Sequence, residues 1–323
     1  IDSKFLQHYK GNMLLSILGL LGGLAIIVLG ANKLVDGGSA LAAHYNIPNI
    51  VIGLTIVAFG TSAPELIVSS MSAIEGQSAL ALGNVLGSNI FNILGIIGIS
   101  AMIYPMNILK NTTTIEVPYA ILCSLVILGT FFIGEQAIGI WEAVFFLVLF
   151  GVFNIYTTYV ATHNQAEEVS IKTLSLWKSI LFILIGFAGL FLGGKWLVNS
   201  AIEIATVMGI SERIIAVTII SIGTSLPELA TSVVAARKHQ VEMAVGNVIG
   251  SNIFNTLLIL GVCGLISPIE IATESLMDIY FNIFATLLLF LFIFTGKGRQ
   301  IERWEGFLLI FIYVAYVVYL IVG

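Results

Sequence analysis

The stretch Gly60-Thr61-Ser62-Ala63-Pro64-Glu65 returns 163 residues later as Gly223-Thr224-Ser225-Leu226-Pro227-Glu228. Each copy lies within an apolar run. Each is followed at the same distance by Gly-Asn-Val-x-Gly-Ser-Asn-Ile-Phe-Asn, Gly83 to Asn92 and Gly246 to Asn255. A proline inside a helix has no amide hydrogen to give and collides with the preceding turn. Pro64 therefore leaves the Gly60 carbonyl without its usual donor, and Pro227 does the same to Gly223. Broken backbone inside a membrane is tolerated only where it is buried in protein or lines a wet cavity. An acid beside such a break is costly in hydrocarbon and marks a substrate or ion pathway. Glu65 and Glu228 read as the only acids buried mid-span.

Oxygen-bearing side chains gather around both acids. Thr61, Ser62, Thr224 and Ser225 lie within one turn of them. Asn84, Ser88 and Asn92 recur at i, i+4 and i+8 and share one helix face, and Asn247, Ser251 and Asn255 repeat the pattern. Gly83 with Gly87, and Gly246 with Gly250, form the small-xxx-small spacing that admits a neighbouring helix. Two carboxylates, hydroxyls, amide oxygens and bare carbonyls are what a hard cation takes, and calcium takes about 6–8 oxygens. No Cys/His cluster offers a softer metal a place. Asn89 and Asn252, on another helix face, read as packing or capping residues.

Composition sets the environment. The chain has 323 residues, 58% hydrophobic and 10% charged, against about a quarter charged in a soluble domain. The apolar runs are about 20 residues long, enough to cross about 30 Å of hydrocarbon. They are continuous rather than alternating, which excludes a beta barrel. The reading is an all-α polytopic integral membrane protein of ten transmembrane helices, near 14–43, 49–73, 78–103, 115–134, 139–160, 176–206, 212–236, 241–266, 276–295 and 304–322.

About half of the ungapped positions between 52–99 and 215–262 are identical, and Trp141-Glu142 returns as Trp304-Glu305 at the same offset. The chain therefore divides into a first five-helix repeat, 13–160, a polar cytoplasmic linker, 161–175, and a second five-helix repeat, 176–323. Glu167 and Glu168 in the linker read as part of a solvated loop. An odd number of spans turns the second repeat upside down, the plan of many secondary transporters. With both termini outside, Lys110, Lys172, Arg237, Lys238, Lys297 and Arg299 fall in cytoplasmic loops, as the positive-inside rule asks. Lys4, Lys10, Lys195 and Arg213, near the outer side, run against it.

Other classes find little support. Net charge is −5 with no basic stripe, so no nucleic-acid partner is expected. No phosphate-binding loop suggests direct ATP drive. No nucleophile and base come together, so an enzyme is not expected, nor a cofactor. Cys123 and Cys263 read as small buried residues. Asp36, whose counterpart is Asn199, reads as a polar interface residue.

The paired motifs resemble the alpha-repeats of the calcium/cation antiporter superfamily, and most closely those of prokaryotic sodium/calcium exchangers. The resemblance covers essentially the whole chain. It implies a midplane site between the second, third, seventh and eighth helices; the lack of eukaryotic-type insertions suggests a prokaryotic cell membrane, and a protein that works as a monomer is expected. By position, it implies that Glu65 and Glu228 bind calcium and share in binding sodium. Thr61, Ser62, Ser88, Thr224, Ser225 and Ser251 would give oxygens to sodium, with the carbonyls of Ala58 and Ser221. Asn92 and Asn255 would complete the central site. Relatives that use potassium can carry Asp at the place of Asn255, so potassium is not expected here. Proton-coupled relatives have Gly-Asn-x-x-Glu in place of Gly-Thr-Ser-x-Pro-Glu, which favours sodium as the coupling ion. Proton-coupled exchange and a cation channel are the alternatives to sodium-driven calcium extrusion.

Overall fold

The computed structural model describes residues 3–133, 136–163, 174–208, 221–295 and 298–322, with 3–12, 202, 205, 206, 221, 321 and 322 described by backbone alone. The linker acids Glu167 and Glu168, and Lys172, Arg213 and Lys297, lie outside the described residues.

The chain folds almost entirely into helices. They are α1 (Ser3–Tyr45), α2 (Asn49–Thr61), α3 (Ala63–Ile74), α4 (Ser78–Ile103), α5 (Thr112–Ile133), α6 (Ile140–His163), α7 (Leu176–Val207), α8 (Ser221–Thr224), α9 (Leu226–Arg237), α10 (Val241–Ile266), α11 (Ser275–Phe292) and α12 (Arg303–Val322). Among the described residues eight helices are long and apolar enough to cross a membrane, and α2 with α3 makes a ninth if counted as one bent span. Of the expected seventh span, 212–220 lies outside the described residues, and α8 and α9 are the described remainder.

Four short strands join loops distant in sequence. Strand β1 (Met106–Asn107), after α4, pairs antiparallel with β4 (Gln300–Ile301), before α12. Strand β2 (Ala137–Ile138), before α6, pairs antiparallel with β3 (Ile269–Glu270), after α10. The two pairings are counterparts under the 163-residue offset. In the same way α12 packs on α4, and α6 packs on α10.

The long helices α1 and α7 lie along one another. Their contact is antiparallel: Gly23 faces Gly193 and Leu197, whereas Gly30 faces Gly186 and Leu190. A Cβ on Gly30 would come within 2.9 Å of the Gly186 carbonyl, and one on Gly186 within 2.7 Å of the Leu34 amide. Only glycine lets the backbones come this close, as small residues do at membrane helix interfaces. Asp36 of α1 is bound by Lys238, just beyond α9, at 2.8 Å, and Lys238 also donates to the Asn32 carbonyl. The expected polar contact at Asp36 is thus an ion pair.

The core gathers around α4 and α10. Their spans are 78% buried, where α1, α6 and α7 are 28% buried and present apolar faces outward. Trp141 and Trp304 are exposed on the periphery, the position of an interfacial anchor. Their partners Glu142 and Glu305 accept the backbone N–H of Gly139 and Glu302 and so cap the starts of α6 and α12.

Glu65 and Glu228 are joined among the buried acids by Glu116 and Glu305, which lie near helix starts rather than mid-span. Both lie about one turn inside a helix start, and Glu116 falls at the second residue of its expected span. An acid at a sequence-defined margin looked solvated, but the folded neighbours cover it.

Candidate ion-binding site

The repeated proline acts through the turn before it. Helix α2 ends at Thr61, Ser62 leaves helical geometry at φ −83° and ψ 7°, and α3 restarts with Pro64 in its first turn, bent by 47°. There the missing N–H is no loss, because first-turn amides have no partner within the helix. Ser225 adopts φ −89° and ψ 9° ahead of Pro227. Glu65 and Glu228 consequently stand in the first turns of α3 and α9, where the positive end of the helix favours a carboxylate.

Both acids are fully buried, and each is held by the other repeat. Ser225 donates to Glu65 Oε1 at 2.9 Å, and Ser62 donates to Glu228 Oε1 at 2.8 Å. Thr224 lies beside Glu65, and Thr61 beside Glu228. Ser251 donates to Glu228 Oε1 at 3.4 Å. Thr61 Oγ1 also stands 3.0 Å from the Val57 carbonyl and 3.1 Å from Asn247 Oδ1. The Ala58 carbonyl accepts the Ser62 amide and lies 3.3 Å from Thr61 Oγ1. Ser221 opens α8, and its side chain is outside the described residues.

The asparagines are aimed by their neighbours. Asn92 Nδ2 donates to Asn252 Oδ1 at 2.9 Å, and Asn255 Nδ2 donates to Asn89 Oδ1 at 3.1 Å. Asn89 in turn donates to Thr256, and Asn252 to the Asn89 carbonyl. With each amide donating one hydrogen bond, Asn92 and Asn255 are left with Oδ1 unpartnered. So are Glu65 Oε2, Glu228 Oε2 and Ser88 Oγ, all buried. Buried polar oxygens are rarely without partners. Here five of them belong to residues singled out by the sequence.

The backbone around the asparagines is unusual too. Phe91–Ile97 and Phe254–Ile259 are π-helical, and such turns recur at functional sites. Gly246 and Gly250 fit closely on α2, within 2.7 Å of the Ile50 carbonyl and 2.8 Å of the Leu54 Cα for an added Cβ. Their spacing foretold this, whereas among the described residues nothing lies within 4 Å of a Cβ added at Gly83 or Gly87. A cavity of about 270 Å³ opens beside the break and is lined by Gly60, Pro64, Pro227, Phe187 and Phe191.

Sequence reasoning left two features unread. Asn89 and Asn252 do pack, but their packing orients the site asparagines. Ser69 and Ser232 also accept the amides of Asn84 and Asn247, bracing α3 on α4 and α9 on α10. The repetition of Ser69 as Ser232 was the available signal. Among the described residues no group of three or more His, Cys, Asp or Glu could hold a metal. Glu65 and Glu228 lie among neutral hydroxyl and amide oxygens, the kind of donor set a hard cation takes.

Comparison with known proteins agrees with this geometry. The family model described as sodium/calcium exchanger protein matches residues 15–159 and again 178–322. The chain belongs to the sodium/calcium exchanger family. It is 38% identical to "Putative antiporter CaxA" of Alkalimonas amylolytica, over 94% of this chain and 98% of the relative. It is 32% identical to "Sodium/calcium exchanger MaX1" of Methanosarcina acetivorans, over 93% and 97%. Among solved structures it resembles the sodium-calcium exchanger NCX_Mj, with a TM-score of 0.81 and 30% identity, covering 95% of this chain and 99% of that one. The fold and family make this an integral membrane protein of a transporter class, and they support cation/calcium antiport.

Proposed function

We propose that this chain exchanges sodium for calcium by alternating access and extrudes calcium electrogenically. The observation that carries this reading is the set of unpartnered buried oxygens on Glu65, Glu228, Asn92, Asn255 and Ser88. They come from both repeats and make up an oxygen set of the kind a hard cation takes. Two ionised glutamates give the site a charge near −2. One calcium ion balances it, and several sodium ions do the same. The two cargoes then compete, so the site closes only when filled. Thr61, Ser62, Thr224, Ser225 and Ser251, with the carbonyls of Ala58 and Ser221, complete the coordination of sodium. Exchange of more than two sodium ions per calcium moves net charge across the membrane.

The same proposal includes two inverted five-helix repeats, 13–160 and 176–323, with both termini outside. The β1–β4 pair joins a loop after the third helix of one repeat to a loop after the fourth of the other, and β2–β3 does the converse. Such loops meet on one face only when the repeats run in opposite senses. The antiparallel contact of α1 with α7 supports the same arrangement. These two helices would move as a unit past the fixed site.

Calorimetric titration of the purified protein tests the binding step. Calcium should bind with an apparent affinity that falls as sodium is raised. Glu65→Gln and Glu228→Gln should each abolish calcium binding, since each removes half of the site's charge. Calcium binding of ordinary strength in either variant, or indifference to sodium, would refute the assignment.

A further inference from the structure

Glu116 stands apart from the ion site and has no part in the exchange just described. It lies one turn inside α5, fully buried. Tyr156 of α6 donates to its Oε1 at 3.1 Å. Its Oε2 makes no hydrogen bond of good geometry, and the buried Thr112 hydroxyl lies beside the carboxyl. The ion pair found among the described residues is Lys238 with Asp36, so no Lys, Arg or His there comes within 4.0 Å of Glu116.

Several titratable groups on α5 and on α6, α10 and α11 have partners of their own. Tyr119 of α5 donates to the Leu149 carbonyl, and Asp278 of α11 is taken by Tyr316. Cys263 of α10 faces Ser70, and His163, at the end of α6, stacks on Tyr159. A bare carboxylate buried without a countercharge is too costly to persist. One oxygen of a single carboxyl, one threonine hydroxyl and one phenol are too few for a calcium ion. A proton needs no more than the carboxyl itself.

The repeat adds a second, independent argument. The counterparts of Thr112 and Glu116 are Ser275 and Ile279, and Ile279 is as deeply buried as Glu116. The fold therefore accepts an apolar side chain at this place. Packing at this position does not require the acid; the second repeat carries its acid one residue earlier, at Asp278, where Tyr316 of α12 donates to it.

We propose that Glu116, Thr112 and Tyr156 form a proton-binding site, distinct from the ion site, that makes transport sensitive to pH at the membrane face where α5 begins. In the closed packing of α5 on α6 the carboxyl carries its proton. Loss of that proton leaves a buried charge and loosens this contact. Helix α5 packs on α10, which carries Ser251 and Asn255, so the change reaches the helix of the ion site.

Infrared difference spectroscopy reads the proton directly and does not depend on calcium transport. The spectrum of the wild type minus Glu116→Gln at neutral pH should show the C=O stretch of a protonated carboxyl, and this band should titrate away at alkaline pH. Tyr156→Phe should keep the band and shift it to higher frequency by removing one hydrogen bond. Absence of the band from the difference spectrum, or an unshifted band in Tyr156→Phe, would overturn the proposal. A second arm rests on the exchange proposed above. Calcium uptake by the wild type should slow along the alkaline limb of its pH profile, whereas Glu116→Gln, a mimic of the protonated acid, should lose that limb. The same alkaline limb in both proteins would overturn the regulatory role.

Discussion

Each glutamate of the site depends on a serine of the opposite repeat. Ser225 holds Glu65, and Ser62 holds Glu228. The crossing ties the two breaks together, so neither acid can be set without the other half of the protein. A hydrogen bond to a charged group contributes about 1.5–3 kcal/mol. Ser62→Ala and Ser225→Ala should therefore each weaken calcium binding by about 10- to 100-fold, and by similar factors, because the two contacts are near-equal in length. Titration calorimetry checks this. A tenfold loss for one serine and none for the other would show that the halves are not equivalent. The identity of these residues was legible in the sequence, since Ser62 and Ser225 stand in the repeated motif. Their crosswise partnership was not. A one-dimensional repeat shows which positions correspond, but contact between the copies arises only from how the helices pack. Asn89 and Asn252 were underread for the same reason, as their effect passes through the neighbouring amide.

Among the elements, the broken helices and the glycine-lined pair α1–α7 do different work. The breaks at Ser62 and Ser225 put two acids at helix N-termini inside the membrane. The repeated Pro-Glu already pointed to an interruption, but the sequence alone placed the proline in mid-helix. The chain instead ends one helix and begins another, so that proline falls in the first turn, where it is tolerated. The α1–α7 contact uses Gly23, Gly30, Gly186 and Gly193 on facing surfaces. The sequence showed these glycines within long apolar runs but not that they face one another. Gly30→Val would force a side chain into the Gly186 and Leu190 backbone. Overpacking of this kind costs about 1–3 kcal/mol, so thermal unfolding in detergent should occur several degrees lower. An unchanged melting temperature would mean that the two helices separate at little cost, and the account of α1 and α7 as one moving unit would fail. By contrast, the Lys238–Asp36 pair is partly exposed, and such pairs contribute about 0–1 kcal/mol.

At the scale of the whole molecule, the fold is two copies of one pattern locked together. The fifth-helix contacts α12 on α4 and α6 on α10, the two small sheets and the crossed serines all join one copy to the other. The all-helical membrane architecture could be read from hydrophobic run lengths, and the candidate site was drawn from two acids in matching breaks. The burial of Glu116 escaped that reading, because a residue near the end of an apolar run is exposed or covered according to its three-dimensional neighbours. The function we propose for this fold is exchange: one charge-balanced site, shared by both halves, that takes calcium or sodium in turn. The most direct test is radioactive calcium uptake into proteoliposomes loaded with sodium and diluted into sodium, potassium or choline. The account predicts uptake in potassium and in choline, and none when external sodium matches internal. Equal uptake in all three media would contradict it.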